Sequence, residues 1–102
     1  MYTVETCGDY HVITPEAEIN SANAPQAKDF VKDLISQGHS RLVVDLSTTD
    51  FLDSSALGVL VTAVKTARSV GGNVRLCGLS QNVQQILEMT RLTRIFDIYA
   101  DR

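Results

Sequence analysis

The chain has 102 residues, a formal net charge of −3 and a hydrophobic fraction of 44%, which is the size and composition of one ordinary globular domain. Its first basic residue is Lys28, and no apolar run is long enough for a membrane span or a signal peptide. These features argue against a basic arm for nucleic acid and against membrane insertion, and they predict a single cytoplasmic domain over residues 1–102.

Two short segments near the N-terminus predict a β-hairpin. Tyr2–Cys7 and Tyr10–Thr14 are rich in β-branched and aromatic residues, and the Gly-Asp pair between them suits a two-residue turn. Cys7 and Cys77 lie far apart in a sequence that shows no secretion signal. They are therefore interpreted as small buried hydrophobic residues rather than as a disulfide.

The first helix is predicted after a polar segment. Ser21 or Asn23 can serve as its N-cap, Pro25 can be an early helical residue, and Gly38 can end the helix. Between these limits, apolar residues recur at helical spacing on one face, at Ala27, Phe30, Val31, Leu34 and Ile35.

A buried strand and a long helix are predicted next. Arg41–Leu46 is almost continuously apolar, which is typical of a strand that is covered on both faces. The helix runs from about Ser54 to Val70 and stops at a Gly-Gly pair. Its polar residues form one narrow stripe, so most of this helix is expected to be buried.

The last third of the chain repeats this alternation. Val74–Cys77 is a further strand, Ser80 can cap a third helix, and Ile95–Tyr99 is the last strand. The predicted order is β-β-α-β-α-β-α-β, an α/β fold with a mixed sheet, in which right-handed crossovers join parallel strands and the hairpin is antiparallel. The core is expected to contain Val43, Val44, Leu57, Leu60, Val61, Val64 and Ile86.

Polar residues that could carry a function concentrate just before the long helix. Asp45, Asp50, Asp53, Ser54 and Ser55 lie where the carboxyl end of a parallel strand leads to a helix N-terminus. The simplest interpretation is structural, with Asp53 or Ser54 as the N-cap and the remaining residues in a solvated loop. A functional site at this junction is the alternative interpretation.

The common catalytic motifs do not occur. The sequence has no Gly-Lys pair for a P-loop, and neither serine stands in a Gly-x-Ser-x-Gly elbow. Nothing in the sequence places His11 or His39 near Ser54 for a triad. The aspartates could at best hold Mg²⁺, and the companion residues of a response-regulator receiver are missing. The prediction is a chain that is not an enzyme and uses neither a metal nor a cofactor.

Ser54 could instead accept a phosphate. Backbone N–H groups and the helix dipole favour an anion at a helix N-terminus by about 0.3–2 kcal/mol, so the fold should tolerate the modification, whereas a partner packed on the same spot would not. Gly58, one turn on, would let a partner's backbone approach. Ser55, Gly58 and Thr62 continue the polar stripe, so this end of the helix is expected to face solvent.

The sequence resembles the STAS domain family, in particular the bacterial anti-sigma-factor antagonists. The segment Phe51–Val59, preceded by the strand Leu42–Leu46, is similar to the family's characteristic motif. The likeness continues through Gly71–Ser80 and Ile86–Leu92, and it covers almost the whole chain.

The resemblance implies a small α/β domain that acts by binding. In such antagonists, the serine after the aspartate is phosphorylated by a partner that is both serine kinase and anti-sigma factor, and a PP2C-type phosphatase removes the phosphate. The unmodified form binds the kinase and frees a sigma factor. Carried over to this chain, the acceptor is Ser54, and the residues around it that contact partners are Asp53, Ser55, Ala56, Leu57, Gly58 and Asn20.

Two departures and one alternative accompany the resemblance. Ala56 stands where many members have glycine, and Asn20 stands where many have aspartate. The alternative function is a constitutive binding module, or a scaffold subunit of a larger complex, that works without phosphorylation.

Overall fold

The computed structural model describes residues 2–15, 19–49 and 51–99, which form a five-stranded sheet and three α-helices. The element order agrees with the predicted one. The strands are β1 (Tyr2–Cys7), β2 (Tyr10–Pro15), β3 (Arg41–Asp45), β4 (Asn73–Cys77) and β5 (Asp97–Tyr99). The helices are α1 (Ala24–Ser36), α2 (Ser54–Ser69) and α3 (Gln81–Met89).

The strands lie side by side in chain order, β1-β2-β3-β4-β5. The β1–β2 hairpin is antiparallel and all other neighbours are parallel, so the sheet is mixed as predicted. Each crossover between parallel strands steps one strand in the same direction, and crossovers of the usual right-handed kind then put all three helices on one face of the sheet. Buried residues of every helix accordingly share one core cluster with Ile13, Val44 and Leu76 of the strands.

On the opposite face of the sheet, side chains of the strands pack against one another. Val12, Val43 and Cys77 are buried there in a small separate cluster, with Tyr10 packed against it. The Arg75 guanidinium lies 4.2 Å from the centre of the Tyr10 ring. Burial of β3 on both faces is therefore confirmed, although the helices of the described residues lie on only one of the faces.

Part of the predicted core is less buried than expected. Leu60 and Val64 are 3% and 1% exposed, as predicted. Leu57, Val61 and Ile86 are only half-buried and pack against the rim of the core. The reason is that α2 and α3 pack on one side only, so residues at the border of each apolar stripe keep contact with solvent.

The element ends differ from the predictions by one or two residues. Gly38 and Gly71 have φ values of +95° and +83° just after α1 and α2, so glycine ends these helices as predicted. β5 begins at Asp97 rather than Ile95, because a 3₁₀ turn over Leu92–Arg94 precedes it. None of the helices described here combines the length and apolar character needed to cross a membrane.

Candidate functional site

Asp53 is the N-cap of α2. Its Oδ1 atom accepts a hydrogen bond of 2.8 Å from the backbone N–H of Ala56, and its carbonyl oxygen accepts one of 3.0 Å from Leu57. A capping side chain satisfies one of the backbone donors that have no partner within the helix. Of the two predicted cap candidates, Asp53 takes this structural role, and Ser54 becomes the first residue of the helix.

Ser54 and Ser55 differ in accessibility. Ser54 is exposed, and its hydroxyl makes no hydrogen bond to any residue that the structure describes. Ser55 is half-buried. An enzyme that must reach one of the two hydroxyls therefore meets less obstruction at Ser54, and using that hydroxyl breaks no bond within the described part of the protein.

The start of α1 faces the start of α2 across an open groove of about 340 Å³. Ser54, Ser55 and Gly58 line one wall, and the other wall consists of Ser21, Ala24, Pro25 and Lys28. Ser55 and Gly58, which face this wall, are half-buried rather than fully solvent-facing, and Thr62 one turn further along the helix is half-buried as well. No local sequence pattern predicts this second wall, because only the packing of α1 beside α2 brings Lys28 to the site.

No neighbouring atom among the described residues requires glycine at position 58. A Cβ atom built at this position meets nothing within 4 Å, and its backbone is helical. Glycine inside a helix costs about 0.5–1 kcal/mol relative to alanine. The described structure thus contains no packing contact that offsets the cost of this glycine.

The other residues predicted around Ser54 have different surroundings. Ala56 is 0% exposed and belongs to the core, so it forms no part of the accessible surface. Leu57 is half-buried. Phe51, just before the cap, is 54% exposed, which is unusual for a large apolar side chain. It was part of the recognised motif but was not predicted as a site residue.

Asn20 shapes the turn before α1. Its Oδ1 atom accepts hydrogen bonds from the backbone N–H groups of Ala22 and Asn23, at 2.9 and 3.3 Å. Its own backbone N–H donates to Oδ1 of Asn23 at 2.8 Å. Asn23 occupies the N-cap position of α1, but its side chain makes this turn rather than a cap bond. Asn20 therefore orders the segment that leads to the groove residue Ser21.

The aspartates of the β3–α2 junction serve local structure. Asp45 is 9% exposed, and its Oδ1 atom accepts a 2.9 Å hydrogen bond from the backbone N–H of Ser47. A Cβ atom at Gly78 would lie 2.9 Å from the same oxygen. Asp50 falls outside the described residues. Within the described ranges, no group of three potential metal ligands comes together.

The two histidines lie away from Ser54. The His11 and His39 rings stack with centroids 4.1 Å apart. His11 is in register with Leu42, near the start of β3, whereas Ser54 follows the end of that strand. The length of the sheet thus separates both imidazoles from the serine hydroxyl, so neither histidine can act as its base.

Comparison with known proteins gives one family. The model of the STAS domain matches residues 2–102. The crystal structure of TM1081 from Thermotoga maritima, provisionally named an anti-sigma factor antagonist, has a TM-score of 0.91 at 31% identity. The match covers 96% of this chain and 85% of TM1081.

Two further proteins that this chain resembles are named anti-sigma factor antagonists without qualification. The anti-sigma-B factor antagonist of Bacillus subtilis is 32% identical over 83 residues, or 81% of this chain and 75% of the relative. The antagonist SpoIIAA, in its unphosphorylated form, has a TM-score of 0.81 at 19% identity and covers 98% of this chain and 89% of its own. SpoIIAA is also known in a phosphorylated form. At 19% identity this second likeness establishes the fold alone.

Proposed function

The chain belongs to the STAS domain family, and from that premise we propose that it is an anti-sigma factor antagonist switched by a phosphate on Ser54. The unmodified form binds a serine kinase that is also an anti-sigma factor. Phosphorylation ends this binding, and a PP2C-type phosphatase restores it. One observation carries the proposal: the Ser54 hydroxyl is exposed at the first residue of α2, while Asp53 caps the helix in its place.

The free fold can accept the phosphate at low cost. The modification adds about −1.5 to −2 charges, and at the N-terminus of α2 these meet the positive end of the helix dipole. The Asp53–Ala56 hydrogen bond does not involve the Ser54 side chain. Phosphorylation should therefore leave the cap and the buried part of α2 intact.

The surface around Ser54 suits a protein partner. Gly58 leaves the groove wall without a side chain one turn from the serine, so a partner's backbone can approach closely. Phe51 offers an exposed aromatic ring beside the same helix start, and buried aromatic residues often dominate binding energy in interfaces. Gly58 thus permits close approach of a partner's backbone, and Phe51 provides an apolar anchor.

A phosphate at the centre of this surface would oppose binding. In the complex, the charge must leave water and face a surface shaped for a hydroxyl group. An uncompensated buried charge costs several kcal/mol, which exceeds the small gain from the helix dipole. The switch thus arises from the difference between a solvated and a desolvated phosphate, without a change of fold.

The direct test is to incubate the protein with ATP and its cognate kinase. Intact mass should rise by one phosphate, and phosphopeptide mapping should place it on Ser54. Ser54→Ala should abolish the modification, whereas the matched variant Ser55→Ala should keep it. A phosphate on Ser55 or on any threonine would contradict the proposal. Equal affinity of the modified and unmodified forms for the kinase would instead indicate a constitutive binding module.

A further inference from the structure

We propose that Lys28 of α1 binds the phosphate on Ser54 and holds it in the groove between α1 and α2. The proposal rests on the proposed function, because it assigns a receptor for the same modification. The observation behind it is that Lys28 and Ser54 line one groove from opposite walls. The phosphate would therefore be tied to α1 as well as to α2.

Lys28 differs from the other lysines of the chain. It is half-buried, whereas Lys32 and Lys65 are exposed. It forms no hydrogen bond or ion pair with any residue in the described ranges. A partly desolvated ammonium group gains more from an anion than a fully solvated one, so this lysine is the most favourable of the three for binding a phosphate.

Lys28 has no carboxylate among its neighbours on the helix surface, because the adjacent Asp29 projects from a different side of the helix. On a helix, side chains three and four positions apart are neighbours. For Lys28 these neighbours are Ala24 and Pro25 on one side and Val31 and Lys32 on the other, and Lys32 adds a like charge. Among the described residues, the groove lining also contains no acidic residue. An anion in the groove would thus supply the opposite charge that the helix does not.

A cation at this position would stabilise the phosphate further. The Asp53 carboxylate lies next to Ser54 in the chain and is held at the cap, so it repels a neighbouring phosphate. Lys28 lines the other wall of the groove and can offset this repulsion with charge-assisted hydrogen bonds. In a complex with the kinase, the phosphate and its lysine would still have to be desolvated together, and they would fill the groove that the unmodified form leaves open.

The test is a ³¹P NMR pH titration of protein that carries phosphoserine at position 54, introduced during synthesis by genetic code expansion. An ammonium group near the phosphate favours its dianion. The midpoint for the second ionisation, which converts the monoanion to the dianion, should therefore be about half a pH unit lower in the parent protein than in Lys28→Met. Lys28→Arg should keep the low midpoint, because it keeps the charge. The difference should shrink in ~1 M salt, where the Debye length is about 3 Å.

Lys65→Met is the matched control. It removes the same charge from α2 about 16 Å along the helix from Ser54, so its midpoint should equal that of the parent. Equal midpoints for the parent and Lys28→Met, or an equal rise in both methionine variants, would overturn the proposal. Because the phosphate is installed without the kinase, this result is independent of whether the kinase modifies Ser54, which mass mapping decides separately.

Discussion

Two helices of this protein begin at the same edge of the sheet, each after a parallel strand, but their serines have different roles. At the start of α3, the Ser80 hydroxyl accepts a 3.2 Å hydrogen bond from the backbone N–H of Val83 and caps the helix. At the start of α2, Asp53 caps the helix, and the Ser54 hydroxyl is left exposed. A serine at a helix start becomes available for modification only where another residue already provides the cap.

The largest contrast compares the same new charge at two places on α2. Val64→Asp should unfold the protein, because Val64 is 1% exposed and an uncompensated buried charge costs several kcal/mol. Ser54→Asp should change the unfolding free energy by no more than about 1 kcal/mol. Chemical denaturation of both variants checks this. Val61→Asp, at a half-buried position, should fall between them, and a cooperatively folded Val64→Asp would contradict the placement of α2 in the core.

The second contrast concerns binding. Ser54→Asp should weaken affinity for the kinase at least about a hundredfold. A hundredfold loss corresponds to ~2.7 kcal/mol, and desolvating the new carboxylate in the complex costs at least that much. The matched control is Gln81→Asp, which adds the same charge at the first residue of α3, where the side chain is also exposed. It should leave affinity unchanged. Calorimetric titration measures both variants, and a similar loss in each would point to net charge rather than to the α2 surface.

The third contrast separates caps from the free hydroxyl. Asp53→Ala and Ser80→Ala should each destabilise the protein by about 1 kcal/mol, the usual cost of losing an N-cap. Ser54→Ala should cost less than ~0.5 kcal/mol, because Ser54 caps nothing. Urea unfolding curves for the three variants are the measurement. A loss of about 1 kcal/mol in Ser54→Ala would mean that its hydroxyl supports the fold.

The smallest effect is expected at Gly58. Gly58→Ala should stabilise the free protein by about 0.5–1 kcal/mol, because the added methyl group meets nothing and alanine favours the helix. The same variant should bind the kinase more weakly if a partner's backbone approaches there. Thermal unfolding measures the expected gain in stability, and calorimetric titration measures the expected loss of affinity. Unchanged affinity would place the interface elsewhere on the molecule.

Most of the fold could be predicted from local patterns. Alternating β-prone and helical segments gave the element order, and Gly38 and the Gly-Gly pair gave two helix ends. The 3₁₀ turn before β5 was missed, because a three-residue turn leaves no periodic signal. Leu57 and Val61 were predicted to be in the core, but they are only half-buried. Periodicity identifies the apolar stripe of a helix, but its neighbours determine how much of that stripe is covered.

By itself, the sequence determined the α/β order, the mixed sheet, the motif around Ser54 and membership of the STAS family. These depend on residue spacing along a single segment. Only the tertiary structure decided which residue caps α2, that Asn20 shapes a turn, and that Lys28 lies across a groove from Ser54. The position of Lys28 depends on how distant segments pack. The two other facts depend on which of several nearby polar side chains accepts a hydrogen bond from a backbone N–H group. Local sequence propensities do not settle such competition.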